Sequence, residues 1–228
     1  MTGFDAERFD RLVSQRAPAG RTPGAVAPGQ PDEGGATHDA DALDSLLVHS
    51  FMLFDATCAD ADRAAKKLYA AFIDLNELRV SRVDEIVAAI GARYPRAEDR
   101  ASGLKRTLND LFQRENAVTL AVIAEKNKRD ARQFLCSLDG CPHYVASRLL
   151  LVGFGGHAIP VDDLLLARLR DARVFDDSVD LDRAASLLER HVKAADALAT
   201  HLALETLRDE EPKPAPRTRG ARAVGKRA

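Results

Sequence analysis

Two adjacent carboxylates, Asp162 and Asp163, stand directly after Pro160 and Val161, where a leucine-rich segment begins. A carboxylate at such a position has two possible uses. It can accept hydrogen bonds from the free N–H groups of a first helical turn, as an N-cap does. It can also stabilise a developing cation or activate a water molecule when it faces a groove. The residue types alone leave capping and catalysis both open.

A helical hairpin is predicted just upstream of these carboxylates. Residues 134–156 have the pattern of a helix, a tight turn, a second helix and a glycine-rich loop. Amide N–H groups at the start of a helix bind anions, and phosphate is the obvious anion for such a turn. Pro142 has no N–H, so the candidate donors are Gly140, Cys141 and His143, and a protonated His143 would add a positive charge. A solvent-exposed structural turn is the alternative interpretation.

The elements that would position these residues are helices. From Asp41 onward, apolar residues recur at the i, i+3, i+4 spacing, and nothing alternates at period two over a useful length. The pattern includes segments at 43–54 and 83–90, a weaker one at 118–123, and a long Ala-rich segment at 181–207. We therefore predict an all-α fold of about eight to ten short helices.

Both ends of the chain are predicted to lie outside the helical domain. Residues 1–40 contain a short helical pattern and then a linker rich in Gly, Pro and Ala, so the domain is assigned to residues 41–209. Residues 210–228 form a Pro- and Ala-rich tail that we expect to be disordered. Residues 212–228 carry six basic side chains and no acidic one; with a total charge of −2, the rest of the chain is therefore −8. Such a tail either adds phosphate contacts or keeps the protein in solution.

Composition excludes several classes of protein. Of 228 residues, 46% are hydrophobic and 30% charged, which is typical of globular proteins. No apolar run approaches the ~20 residues of a membrane span, and the first residues lack the apolar core of a secretory signal. Three cysteines are too few for a disulfide framework, so we expect a cytoplasmic protein. Cys136, Cys141 and His143 lack the fourth ligand of a zinc site, so no metal is predicted.

The order and spacing of the segments resemble the helix-hairpin-helix DNA glycosylase superfamily, in its endonuclease III branch. The resemblance spans about residues 41–207 and includes the blocks at 42–72 and 83–116. LDGCPHYVASRLL stands in the place of the family's hairpin motif Leu-Pro-Gly-Val-Gly-x-Lys-Thr-Ala, and IPVDD in the place of Ala-Val-Asp-Thr-His. It implies a two-lobed helical fold with flexible termini.

The resemblance also implies a role for individual residues. Asp162 matches the catalytic aspartate, which in these enzymes stabilises the oxocarbenium-like sugar and helps to position or activate the nucleophile. Tyr144 falls where bifunctional members have the lysine that forms a Schiff base. A phenol cannot form that imine, so the implied reaction is monofunctional, with water as the nucleophile. Asp55 occupies the place of a glutamine that fills the gap left by the flipped nucleotide.

The family's four-cysteine iron–sulfur cluster has no ligands here, because no cysteine follows Cys141, and we expect no cofactor. Lys126, Lys128 and Arg129 precede the hairpin and are candidate DNA contacts or a solvated helix face. A second basic group, with the same two interpretations, flanks an earlier turn: Arg93, Arg96, Arg100, Lys105 and Arg106. The net charge of residues 41–211 is −6, so these patches must be concentrated in space to bind DNA.

Three functions are consistent with the sequence. The first is a base-excision repair glycosylase that hydrolyses N-glycosidic bonds in damaged or mismatched duplex DNA. The second is a catalytically inactive protein of the same fold that binds DNA or abasic sites. The third is a helical protein-interaction module. The sequence indicates neither the base nor the oligomeric state.

Overall fold

The computed structural model describes residues 3–16, 40–124 and 126–210. Within these ranges the secondary structure is helical, and the only strand-like pairing is an isolated bridge between Phe4 and Phe175. The all-α prediction is therefore confirmed. The predicted linker beyond residue 16 and the basic tail from residue 211 lie outside the described residues. No helix in the described ranges has the length and apolar character needed to cross a membrane.

Eleven α-helices follow one another along the described ranges. They are α1 (Ala6–Ser14), α2 (Ala40–Leu53), α3 (Cys58–Ala71), α4 (Leu75–Val80), α5 (Val83–Ile90), α6 (Ala97–Glu115), α7 (Lys128–Ser137), α8 (His143–Arg148), α9 (Asp163–Asp171), α10 (Leu181–His191) and α11 (Ala197–Asp209). Two 3₁₀ turns, at Leu120–Ile123 and Ala194–Asp196, and a π-helical segment at Leu149–Gly153 complete the helical structure of these residues.

The helices form the two lobes that the resemblance implied. The first lobe is a continuous stretch of chain, α2 to α8, in which α2 packs against α3, α6 and α8. The second lobe combines both ends of the described chain, because α1 packs on α11 and α11 packs on α9. Helix α11 also contacts α3 and the π-helical segment. It therefore joins the two lobes at the place where α9 begins.

Helix α1 corrects the prediction that residues 1–40 lie outside the fold. Asp5 caps its N-terminus, and Phe9 and Leu12 are buried in the common core. The Phe4 ring stacks on Phe175, with 5.2 Å between ring centroids. The apolar pattern of α1 is short, and the linker composition that follows it obscures it in the sequence.

Three other helices differ from their predicted extent. The long helix predicted at 181–207 is divided into α10 and α11, because the backbone at Val192 and Lys193 is extended. The Val192 carbonyl lies 3.0 Å from His157 Nε2, a tertiary contact that periodicity does not reveal. The weak pattern at 118–123 forms only a 3₁₀ turn, and α4 was not predicted.

Polar side chains define where many of these helices begin. Six of the described α-helices start after a residue whose side chain accepts a hydrogen bond from the first turn: Asp5, Thr57, Asp74, Asn127, Asp162 and Asp180. Such a cap contributes about 1 kcal/mol to stability. Asp162 differs from the others because it is completely buried and has further partners.

Candidate functional site

Asp162 lies at the N-terminus of α9, at the junction of the two lobes, with 0% of its surface exposed. Its Oδ1 accepts a hydrogen bond from the Leu165 amide at 2.9 Å. Its Oδ2 accepts from the Asp55 amide and from Arg208 Nη1, both at 2.7 Å. The predicted capping role is therefore present, and an ion pair is added to it. Three donors satisfy a carboxylate that burial alone would strongly disfavour.

Arg208, on α11, is the buried counterion of Asp162. Besides the carboxylate, its Nη1 donates to the carbonyls of Leu53 and Ala56, each at 3.1 Å. Burial opposes the charge, but Tyr144 and Asp162 outweigh that effect and raise the pKa of Arg208 above its ordinary value. The sequence analysis did not identify Arg208. A signal was present, because Arg208 follows the buried Leu204 by four residues and so lies on the apolar face of the last helix.

The loop between α2 and α3, residues 54–57, lies over Asp162. A second buried arginine, Arg100 of α6, donates to the carbonyls of Met52 at 2.8 Å and of Phe51 and Phe54. Burial lowers the pKa of Arg100 to about 10, which leaves it charged at neutral pH. Arg100 and Arg208 therefore fix the chain on both sides of Asp55.

Asp55 itself adopts a left-handed backbone conformation, with φ of 54°. Its Oδ2 lies 2.7 Å from Nη1 of Arg96, and its Oδ1 accepts from the Leu164 amide at 3.3 Å. The Arg96 guanidinium also covers the Phe54 ring at 4.9 Å from its centroid. The predicted DNA-contacting side chain of Asp55 is thus already paired, and it closes the first turn of α9.

Tyr144 and Asp162, the two residues predicted to be catalytic, are brought together through Arg208. The Arg208 guanidinium lies 5.1 Å from the Tyr144 ring centroid, and the Phe54 ring stacks on Tyr144 at 5.9 Å. The Tyr144 hydroxyl is buried and has no hydrogen-bond partner among the described residues. Burial raises the pKa of Tyr144, so the phenol stays protonated at neutral pH.

The hairpin between α7 and α8 packs closely on α6. Gly140 has φ of 77°, and a Cβ at this position would stand 2.7 Å from the Gly103 carbonyl oxygen. The Cys141 amide donates to the Leu138 carbonyl at 3.2 Å, so this predicted phosphate donor is used within the turn. Pro142 precedes α8, which begins at His143. The amide of Cys141 is therefore a weaker candidate for phosphate binding than the sequence suggested.

A groove of about 450 Å³ lies between the hairpin and α6. Arg96, Arg100 and Arg106 line it together with Phe54 and Gly140. Phe54 also borders a smaller cavity of about 90 Å³ on the side of Tyr144 and Val161. The positive charges that line this groove therefore come from the second basic group, on α6 and the turn before it.

The basic residues predicted upstream of the hairpin lie elsewhere. Lys128 Nζ donates to the Gly155 carbonyl at 2.6 Å, and Lys126 Nζ lies 5.7 Å from the Phe134 ring centroid. Lys126, Lys128 and Arg129 line neither cavity. Among the described residues, no cluster of His, Cys, Asp and Glu has the arrangement of a metal site.

No family model and no curated protein matches this sequence. Solved structures do match it. An endonuclease III trapped on DNA as a covalent intermediate has a TM-score of 0.59 and 16% identity, covering 88% of this chain and 84% of that one. A thermostable thymine-DNA glycosylase gives a TM-score of 0.56 and 14% identity, with 93% and 87% covered. The 3-methyladenine DNA glycosylase MagIII of H. pylori, bound to 1,N6-ethenoadenine, gives 0.59 and 13%, with 89% and 95% covered. The fold is thus that of the helix-hairpin-helix DNA glycosylases.

Proposed function

We propose that this chain binds duplex DNA and hydrolyses the N-glycosidic bond of a damaged or mismatched base, with Asp162 as the essential carboxylate. The observation that carries the proposal is the position of Asp162: a buried carboxylate at a helix N-terminus, linked to Tyr144 through Arg208, at the junction of the two lobes of a glycosylase fold. A base in a duplex must leave the stack before its glycosidic bond is accessible, so the proposed reaction includes nucleotide flipping.

Asp162 is assigned an electrostatic role in this reaction. As the base departs, positive charge develops on the sugar, and a fixed carboxylate in a site shielded from water stabilises it more than it would in solution. Both oxygens of Asp162 already accept hydrogen bonds from fixed donors. The bonds from the Leu165 amide and from Arg208 hold the carboxylate in one orientation, which avoids the cost of reorganising it during the reaction.

Tyr144 determines the product class in this proposal. Its phenol has no amine for a Schiff base, so the enzyme releases the base and leaves the abasic strand intact. Duplex DNA binds at the groove lined by Arg96 and Arg106, whose exposed guanidiniums can pair with a phosphate, although Asp99 also lines the groove. Lys126, Lys128, Arg129 and the basic tail add further backbone contacts, so affinity falls steeply with salt.

A base-release assay tests the proposal. End-labelled duplexes carrying uracil, an oxidised pyrimidine, an alkylated purine or a mismatch are incubated with the protein and then read with and without alkali. We expect strand breaks that require alkali. They disappear in Asp162→Asn and persist in Asp163→Asn, which changes the exposed neighbour. Turnover retained in Asp162→Asn contradicts the assignment.

The fold of the variant needs its own control, because Asp162→Asn leaves Arg208 buried without its counterion. The double variant Asp162→Asn with Arg208→Met removes both charges and keeps the Asn oxygen as a cap acceptor. A folded double variant that binds duplex DNA and releases no base, while Arg208→Met alone still releases some, supports the catalytic role of Asp162.

A second function is favoured by the closure of the site. Asp162 has no exposed surface, and Asp55 covers it. A protein that binds DNA through the arginine-lined groove without catalysis is consistent with this geometry. Salt-dependent duplex affinity with no base release across the panel, in a folded protein, would establish this function and overturn the first.

A further inference from the structure

We infer that the ion pair between Arg96 and Asp55 is a latch that holds the α2–α3 loop closed over Asp162, and that a DNA phosphate opens it by competing for Arg96. The consequence for catalysis rests on the proposed function, whereas the latch is a property of the free protein. The two are therefore separable by experiment.

Asp55 covers Asp162 and the first turn of α9. Its backbone N–H donates to Asp162 Oδ2 at 2.7 Å, and its side chain accepts from the Leu164 amide at 3.3 Å. One residue of the loop thus closes both the carboxylate and the first turn of α9. A sugar cannot approach Asp162 until this residue moves.

Arg96 is the more exposed member of its ion pair with Asp55. The side chain of Asp55 is 12% exposed and that of Arg96 is 44% exposed. Arg96 also lines the groove beside the hairpin, and Asp99 Oδ2 lies 3.4 Å from its Nε. A phosphodiester that enters the groove therefore meets Arg96 before it reaches Asp55. A guanidinium binds phosphate through two parallel hydrogen bonds, so phosphate is a strong competitor for it.

Both partners of the ion pair have an unusual backbone conformation. Asp55 has φ of 54° and Arg96 has φ of 51°, and both lie in the left-handed region. A non-glycine residue persists there only when its surroundings hold it, and such residues concentrate at functional sites. Aspartate tolerates this conformation better than arginine does. Loss of the ion pair therefore removes a restraint on two residues whose backbone conformation depends on their surroundings.

The ion pair between Arg96 and Asp55 is weak because Arg96 is exposed to solvent. An arginine–carboxylate pair with one partner this exposed changes an opening equilibrium by about fivefold at most. The other contacts of the loop, from Arg100 and Arg208, are buried and stay in place. A phosphate can thus release Asp55 locally without unfolding the loop.

Amide hydrogen exchange of the full chain tests the latch directly, because the Asp55 amide is the group that Asp162 protects. We expect Arg96→Gln to accelerate exchange at Asp55 by about fivefold relative to the unchanged protein. Asp55→Asn tolerates the left-handed backbone, removes only the charge and should give a similar acceleration. Arg82→Gln is the matched control, since it removes an exposed pair with Asp84 at 2.8 Å outside the groove.

Inorganic phosphate, compared with chloride at equal ionic strength, is the probe for the trigger. It should accelerate exchange at Asp55 in the unchanged protein and have no effect in Arg96→Gln. Equal exchange rates in the unchanged protein and both variants would overturn the latch. A phosphate effect that persists in Arg96→Gln would overturn the role of Arg96 as the trigger. If exchange behaves as expected but no duplex in the panel loses a base, the latch stands and the proposed catalysis fails.

Discussion

Two buried arginine–carboxylate pairs among the described residues differ in their surroundings. Arg148 of α8 binds Glu205 of α11 through Nε at 3.2 Å and Nη2 at 3.1 Å, and its Nη1 donates to Ser50. Every one of these partners lies on a helix. Arg208 binds Asp162, but its other acceptors are backbone carbonyls at the α2–α3 loop. The same chemistry therefore fixes helix packing in one place and shapes a functional loop in the other.

The pair of Arg148 and Glu205, whose partners all lie on helices, is the helix-only pair. The charges around Glu205 keep it ionised. Burial alone would raise the pKa of Glu205, but Arg148 and His201 outweigh it and hold that pKa well below its ordinary value. His201 Nε2 lies 3.1 Å from Glu205 Oε1. Glu205 is thus ionised throughout the neutral range. Asp162 differs because it accepts from the amide of Asp55 in the α2–α3 loop, and the Asp55 side chain pairs with the partly exposed Arg96.

Breaking the helix-only pair should give the largest loss of stability. Glu205→Ala leaves the guanidinium of Arg148 buried without a carboxylate, so we expect the free energy of unfolding to fall by about 3–5 kcal/mol. Denaturant titration measures it. Glu189→Ala, which removes a partly exposed carboxylate 3.5 Å from Arg132, should cost far less. Equal losses in the two variants would show that Arg148 finds another partner.

Breaking the pair of Arg208 and Asp162, the loop-facing pair, should cost less stability and change the candidate site more. Arg208→Met leaves Asp162 with two amide donors, so we expect a loss at the lower end of that range, about 3 kcal/mol. Exchange at Asp55 should accelerate because Arg208 also holds the carbonyls of Leu53 and Ala56, and base release should slow because the Asp162 carboxylate loses a donor that fixes its orientation. Arg148→Met is the matched variant. Acceleration at Asp55 of the same size in Arg148→Met would remove the distinction between the pairs.

The smallest expected effect is a loss of stability in mild acid. Burial lowers the pKa of His49 and of His201 below the ordinary value of 6.5. The unfolded chain therefore binds more protons than the folded one, and stability falls as the pH drops below about 6.5. Unfolding by denaturant between about pH 7.5 and pH 5.5 measures this slope.

One group opposes that slope. Burial raises the pKa of Asp44 to about 6, so its protonated form favours the folded chain, and that contribution is lost as the pH rises through about 6. Asp44→Asn removes it and should make the loss in acid steeper. A flat profile in Asp44→Asn would show that the buried histidines do not control acid stability.

Much of the fold was predictable from the sequence because helical periodicity and local signals agree. The hairpin needs Gly140 at a positive φ, and α9 needs an acceptor at Asp162, and both requirements are visible in a few neighbouring residues. The break at Val192 and the docking of α1 were not predictable in this way. Each depends on a partner distant in sequence, His157 in one case and Phe175 in the other.

The candidate site shows the same limit. The positions of Asp162, Tyr144 and Asp55 followed from motif order, and the structure brings all three together. Their states did not follow, since the burial of Asp162 and the engagement of Asp55 depend on Arg208 and Arg96 from other elements. Arg208 and Asp162 are 46 residues apart, and Arg96 and Asp55 are 41 residues apart, so no local pattern in the sequence reveals either ion pair.

The order of the helices along the chain determines when the parts of the candidate site are synthesised. Helices α2 to α8 form a lobe that is complete once residue 153 has left the ribosome, and domains fold as they emerge. Asp162 emerges soon afterwards, but its counterion is on α11, which follows all the other described helices. Until α11 has been synthesised, the residues of the hairpin are therefore present while Asp162 has no counterion. The site is assembled last, and a chain that stops before Arg208 has the hairpin but not the ion pair.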